Sequence, residues 1–207
     1  MRHPPKRRYE TDLLRMSVAK KMVAHEARTR TIQRWCGLSE GRVRELYRSW
    51  AQDRGFRYAV RHRGPTPHQP ALFLKTSRLR SEAAALAALC GLYEIIPRQP
   101  LANVRRELPN LQRGERLLRA YETFLSLIGR TEITLEQTVL LLTAVTQGTV
   151  LRLGHCVHCG AAIVFDPNDR RRRACGRCDH RTHATDHDFS VKNVPGDPQE
   201  GVQQSLF

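Results

Sequence analysis

Four cysteines near the C-terminus constrain this chain more than any other feature. They form two Cys-x-x-Cys pairs with fifteen residues between them, and they are Cys156, Cys159, Cys175 and Cys178. This spacing is typical of a tetrahedral zinc site, in which each pair makes a tight turn that directs both sulfurs at one ion. Because four thiolates complete the coordination, we predict one structural Zn²⁺, with Gly160 and Gly176 at turn positions that often need a positive φ. Two disulfides or four free thiols are the alternatives.

The residues around these cysteines indicate what a bound metal would do. The segment that holds them has few large apolar residues, so metal ligation is expected to supply much of its folding free energy. Cys36 and Cys90 lie among apolar residues, which predicts buried thiols.

The sequence shows neither a signal-peptide pattern nor an apolar run of about 18 residues that could span a membrane. We therefore expect a cytoplasmic protein in a reducing compartment.

The basic excess of the chain precedes the cysteine segment. The net charge is +15 over 207 residues. Residues 1–60 hold 15 Lys and Arg against 6 Asp and Glu, residues 61–155 hold 13 against 7, and residues 156–207 hold 7 of each. Such a basic face favours nucleic acid as the partner. A basic surface that serves solubility, or that binds an acidic protein, is the alternative.

Hydrophobic periodicity predicts a mainly α-helical fold with a small C-terminal zinc-ribbon-like element. Helices are expected over residues 10–25, 30–35, 40–51, 82–96, 103–108, 113–128 and 134–146, with Thr29 and Ser39 as N-caps and a capping box at Thr134 and Gln137. Short strands are expected over 149–153 and 162–165. The predicted organisation is a disordered basic arm (1–9), helix-turn-helix-like helices (10–52), a Pro- and Gly-rich connection (53–76), a partner-binding central helical region (77–148), the zinc element (149–182) and a flexible tail (183–207).

The segment Ile32–Leu46 has the spacing of a helix-turn-helix. Apolar positions flank Gly37, and this glycine admits the positive φ that the turn needs. The candidate DNA-contacting residues on the exposed side of the second helix are Ser39, Arg42, Arg44 and Arg48. The helix N-terminus can bind a phosphate, and arginines can reach guanine edges or phosphates. A plain corner between two helices is the alternative.

Four consecutive arginines lie between the two cysteine pairs: Arg170, Arg171, Arg172 and Arg173. Like charges repel one another, so the run prefers water. A metal ion would hold the two ends of the loop close together, and the loop would project as a basic finger. Such a finger suits a phosphate backbone, because each neutralised phosphate releases counterions. A solvated loop without a partner is the alternative.

These features together resemble the FlhC family, the zinc-containing subunit of the bacterial flagellar master transcriptional activator. The resemblance rests on Leu38–Tyr47, on the helix that runs through Gly148 into the apolar segment Thr149–Leu153, and on the two cysteine pairs. It implies that the four cysteines bind zinc. It also implies that the chain binds promoter DNA with an FlhD-like subunit in a hetero-oligomer, and that the complex recruits RNA polymerase to flagellar operons.

We therefore expect a subunit that binds double-stranded DNA and has no enzymatic activity. The sequence holds no glycine-rich nucleotide loop, no nucleophile elbow and no zinc-protease motif, and its carboxylates are scattered. The N-terminal helices and the arginine loop would contact DNA, while the central helices would present apolar faces to the partner. The alternative is a zinc-stabilised adaptor whose basic surface binds an acidic protein.

Overall fold

The computed structural model describes residues 5–55, 68–99, 101–169 and 173–179. The helices of this part are α1 (Pro5–Ala24), α2 (Thr29–Cys36), α3 (Glu40–Asp53), α4 (Ser77–Leu92), α5 (Val104–Glu107), α6 (Leu111–Ile128) and α7 (Leu135–Gln147), with a 3₁₀ helix over Pro70–Leu74. Two antiparallel strands follow, β1 (Arg152–His155) and β2 (Ala162–Phe165). None of the described helices combines the length and the apolarity needed to cross a membrane. The mainly helical fold class is confirmed.

Local capping signals determine several helix ends as predicted. The Thr134 hydroxyl accepts the backbone N–H of Gln137 at 3.2 Å, and the Gln137 side chain accepts the N–H of Thr134 at 2.9 Å. This capping box starts α7, and Gly148 ends it with a left-handed φ of 67°. The Ser39 side chain caps α3 as expected. Because these signals act within one helical turn, they can be recognised in the sequence without the fold.

Three element boundaries differ from the prediction. The first helix begins at Pro5, so residues 5–9, assigned to the arm, are helical; proline suits the first turn because its missing N–H would be unpaired there. The fourth helix begins at Ser77 because Thr76 accepts the N–H of Leu79. Strand β1 lies nearer the cysteines than expected, because its pairing with β2 sets Arg152 opposite Phe165.

One continuous apolar core takes side chains from helices on both sides of the 53–76 connection. Trp35 of α2 and Phe124 of α6 are almost completely buried in it. Helix α6 approaches the N-terminal helices closely at Gly114, where an added Cβ would already lie 3.5 Å from both Trp35 and Val18. The N-terminal helices therefore pack directly against the central ones.

The apolar faces of the central helices are mostly used inside this chain. Leu86 of α4, Leu117 of α6 and Leu142 of α7 all lie in the core with at most 2% exposure. We predicted that these faces would meet a partner, but they pack against one another and against the N-terminal helices because the chain folds back on itself there. Leu92 and Leu127, at the C-terminal ends of α4 and α6, are exposed.

The N-terminus of α2 is capped by a carboxylate from α7. We predicted Thr29 as its cap, and this is wrong: Thr29 lies inside the helix, and the residue at the cap position makes no side-chain cap hydrogen bond. Instead the buried Glu136 accepts the N–H of Arg28 at 2.7 Å and the hydroxyl of Thr31 at 3.0 Å. A negative charge at this end also interacts favourably with the helix dipole.

We predict that Glu136→Ala lowers the free energy of unfolding by about 2–4 kcal/mol, because it leaves the buried Thr31 hydroxyl and the partly buried Arg28 N–H without their acceptor. Urea denaturation followed by circular dichroism measures the change. The control is Glu132→Ala, which removes an exposed carboxylate just before α7 and should change stability by less than about 0.5 kcal/mol. Equal midpoints for the two variants would contradict the capping role.

Candidate functional site

The β1–β2 hairpin positions the first cysteine pair. The turn between its strands contains Cys156 and Cys159. The N–H of Cys156 donates to the carbonyl of Ala161 at 2.8 Å, and the N–H of Gly160 donates to the carbonyl of Cys156 at 3.0 Å. Gly160 has the predicted positive φ, 71°. These backbone bonds close a tight turn that brings the two sulfurs to the same side of the hairpin end.

The second pair lies on a turn that packs against α4. The N–H groups of Cys178 and Asp179 donate to the carbonyl of Cys175 at 3.0 and 2.9 Å. Gly176 was predicted to need a positive φ, but it is not among the described residues that have one. An added Cβ would lie 3.4 Å from the Cβ of Ser77, which is ordinary van der Waals contact, so this turn lies directly against the start of α4.

The four sulfur atoms meet in one cluster. All lie within 4.8 Å of one another, and the sulfurs of Cys159 and Cys175 are 3.6 Å apart. Zn–S bonds of about 2.3 Å in a tetrahedron place sulfurs about 3.8 Å apart, whereas a disulfide needs about 2.05 Å. All six cysteines are free thiols. The cluster therefore fits a metal ion and does not form disulfides, and His158 is not part of it.

Backbone amides favour a thiolate at Cys156. The N–H of Cys175 donates to its sulfur at 3.2 Å, and the N–H groups of His158 and Cys159 add to the effect, so the pKa of the Cys156 thiol falls to about 6. Hydrogen bonds with the sulfurs of Cys159 and Cys175 raise the pKa of Cys178 to about 12. The cluster therefore favours the thiolate of Cys156 and disfavours the thiolate of Cys178. A divalent cation would compensate the negative charge of the thiolates.

The two faces of β2 connect this cluster to the core. Val164 is fully buried in the main core, while its neighbour Ile163 packs with Cys156 and Ala174 in a separate small cluster beside the metal site. This arrangement follows from the alternation of side chains along a strand. We expected metal ligation to hold this segment, but core packing on α4 also holds it.

The helix-turn-helix-like corner is held by α1. Gly37 joins α2 to α3 with a φ of 68°, as predicted. The Nε of Arg15 in α1 donates to the carbonyl of Cys36 at 2.8 Å, and the buried Tyr47 of α3 donates its hydroxyl to the carbonyl of Ala27. The three helices pack pairwise, so α3 is presented on a rigid support.

The predicted DNA-contacting residues of this corner, Ser39, Arg42, Arg44 and Arg48, are all exposed along α3. The Ser39 hydroxyl is engaged as the helix cap, accepting the N–H of Arg42 at 3.4 Å. Arg42 pairs with Glu45 at 2.7 Å, and Arg44 pairs with Glu40. Such exposed pairs contribute only about 0–1 kcal/mol, so both arginines can exchange their carboxylates for phosphates.

The arginine loop is described only at its end. Arg170, Arg171 and Arg172 lie outside the described residues. The carbonyl of Arg173 accepts the N–H of Val157 at 3.1 Å, and its guanidinium lies over the ring of Phe165 at 5.4 Å. Arg173 therefore ties the loop to the hairpin. Since the hairpin packs on α4 while α3 packs on α1 and α2, the two predicted DNA-contacting regions have different supports.

The sequence interpretation overlooked a third basic surface. Arg30 and Arg34 on α2 and Arg105 on α5 line one concavity. The spacing of the first two, four residues apart in a helix, was a visible signal that they share a face. The contribution of α5 could not be recognised from any local pattern.

A search with models of known protein families matched none of them to this chain, and a search of curated proteins found no significant match. The resemblance to the FlhC family therefore stays a prediction.

We predict that Cys175→Ser abolishes stoichiometric metal binding, because a tetrahedral thiolate site loses a ligand. Elemental analysis of purified protein measures the bound metal, and amide exchange over residues 152–165 reports loosening of the hairpin. The matched control is His158→Ala, which removes a neighbouring side chain outside the cluster and should leave the metal content unchanged. Full metal content in the serine variant would contradict a four-cysteine site.

We predict that Gly154→Ala lowers the free energy of unfolding by about 1–3 kcal/mol, the usual range for overpacking. The added Cβ would lie 2.8 Å from Cε1 of Phe165, so the ring must shift. The control is Gly91→Ala in α4, where nothing lies within 4 Å of the added atom and a stabilisation of up to about 1 kcal/mol is expected. Thermal unfolding measures both, and an unperturbed alanine variant at position 154 would argue against this close packing.

Proposed function

We propose that this chain is a zinc-stabilised, DNA-binding subunit of a transcriptional activator of the FlhC type. The observation that supports the proposal best is the presentation of α3, a capped helix with three exposed arginines. Tyr47 of α3 donates a hydrogen bond to the α1–α2 connection, and Arg15 of α1 donates one to the last carbonyl of α2, just before the turn into α3. An exposed, rigidly supported basic helix is what major-groove recognition requires. The net charge of +15 agrees with a polyanionic partner.

The metal in this proposal is Zn²⁺. Four thiolates in a closed cluster form a soft ligand set that suits zinc, and no position is left for a substrate. Cys156, Cys159, Cys175 and Cys178 would hold the ion. Its task is structural: it keeps the end of the hairpin and the turn on α4 together, and with them the two ends of the arginine loop. The chain acts without chemistry of its own.

The proposed assembly is a cytoplasmic hetero-oligomer with an FlhD-like subunit that recruits RNA polymerase at promoters. The resemblance of Leu38–Tyr47 and of the cysteine pairs supports it. The exposed Leu92 and Leu127 are candidate contacts for the partner. In the rival adaptor function, the basic surface would bind an acidic protein instead of DNA.

Selection of duplexes from a random pool tests the proposal, with the full chain alone and co-expressed with the product of its neighbouring gene. We expect enrichment of one motif. The variant Arg42→Gln/Arg44→Gln/Arg48→Gln should bind the enriched duplex about 10-fold or more weakly, since one bidentate arginine–guanine contact contributes about 1–3 kcal/mol of discrimination.

The matched control removes three other arginines, Arg98 in the α4–α5 connection and Arg116 and Arg119 on α6, which pair with Glu94 and Glu115. This variant loses the same charge and should keep the preference for the enriched duplex. If the chain selects no motif, and its affinity for duplex is independent of salt, the DNA-binding function is refuted and the adaptor function gains support.

A further inference from the structure

The third basic surface lies away from α3 and from the cysteines. A cavity of about 490 Å³ opens between α2, α5 and α7, and we name it the α2–α5 groove. Its polar lining includes Arg30, Arg34, His68, Arg105, Thr143 and Gln147. A neighbouring depression of about 420 Å³ shares Val104, Arg105 and Gln147 with it. The two concavities therefore adjoin each other at Val104, Arg105 and Gln147.

The arginines of the groove differ from those of α3 in their pairing. Arg30, Arg34 and Arg105 are exposed, and within the described part of the chain none of them forms an ion pair or a side-chain hydrogen bond. Two of them stand one turn apart on α2, so they share a face. By contrast, Arg42 and Arg44 on α3 each already pair with a glutamate.

The one carboxylate in the lining does not neutralise this charge by direct contact. Glu136 is buried, and its two oxygens accept from the N–H of Arg28 and from the hydroxyl of Thr31. Three guanidinium groups therefore face one already engaged carboxylate. A concave surface with such an excess attracts an anion that can accept several hydrogen bonds at once.

The aromatic content of the groove distinguishes between classes of anionic ligand. Trp35 lines the groove but is only 2% exposed, so it offers no surface on which a base could stack. Binding of single strands or nucleotides usually depends on such stacking. Among the lining residues, the imidazole of His68 is the one exposed aromatic ring. Three guanidinium groups with so little aromatic surface suit a phosphate backbone, which they can bind with paired N–H donors.

We infer that the α2–α5 groove binds the phosphate backbone of duplex DNA. This inference rests on the proposed function and assigns a second DNA-contacting surface to it. The groove supplies sequence-independent affinity, while α3 supplies sequence preference. Phosphate contacts position a protein on the duplex and base contacts specify the site. The unpaired arginines are suited to the first task, because they need not break an ion pair to bind.

The test compares salt dependence of duplex binding in the full chain and in Arg30→Gln/Arg34→Gln/Arg105→Gln. Loss of three phosphate contacts should make the slope of log affinity against log salt shallower by about 2.7. Between about 50 and 200 mM salt, the affinity of the variant should therefore fall about 40-fold less than that of the wild type. The control that lacks Arg98, Arg116 and Arg119 loses the same charge outside the groove and should change the slope by less than about 1.

A second variant tests the groove without removing any arginine, in case the triple variant loses binding because it misfolds. Gln147→Glu keeps all three arginines and adds a negative charge at an exposed lining residue, so it should weaken duplex binding several-fold with an unchanged circular dichroism spectrum.

Each outcome decides the inference. A wild-type salt slope in the triple arginine variant, together with wild-type duplex affinity in Gln147→Glu, would overturn the groove and leave the DNA-binding function standing. Absence of salt-dependent duplex binding in the wild type itself would overturn both. Binding of ATP or inorganic pyrophosphate that the triple variant loses, with duplex binding unchanged, would assign the groove to a small phosphate ligand and overturn the inference.

Discussion

The packing of β2 against α4 connects the four-cysteine cluster to the rest of the molecule. Because side chains alternate along a strand, Val164 enters the main core while Ile163 packs with Cys156 and Ala174 in the small cluster beside the sulfurs. The second cysteine turn lies against Ser77 of the same helix at Gly176. The position of α4 therefore sets where both cysteine pairs stand. Core packing therefore holds the hairpin that a bound metal would also stabilise, and the four-cysteine cluster is part of the fold rather than an independent appendage.

Helix α7 connects the cysteine hairpin to the basic N-terminal helices. Its first turn supplies Glu136, whose carboxylate caps α2, and its last residue leads through Gly148 to β1. Trp35 of α2 contributes to the same core as α6 and α7. A rigid path of packed helices therefore runs from the corner that presents α3 to the hairpin that carries the sulfurs. In the proposed function, both parts would be held in one orientation toward the duplex.

The arginines of the predicted DNA-binding surfaces are of two kinds, those that pair with a glutamate and those that do not. Arg42 and Arg44 on α3 pair with glutamates at helical spacing, so their side chains are held in place and their charge is partly neutralised. Arg30 and Arg34 on α2 and Arg105 on α5, which line the α2–α5 groove, form no ion pair among the described residues. Net charge alone cannot reveal this difference, because it counts both kinds equally. It follows from which side chains the fold brings within reach of a carboxylate.

The sequence by itself determined the features that depend on contacts within a few residues. The spacing of the cysteines, the capping box at Thr134, and the left-handed glycines at 37 and 148 were all predictable, because each operates within a single turn. Only the tertiary structure decided the cap of α2, since Glu136 lies 105 residues from Thr31. It also decided which arginines of the described residues have no ion pair. These depend on how helices distant in the chain pack, and no local pattern encodes that packing.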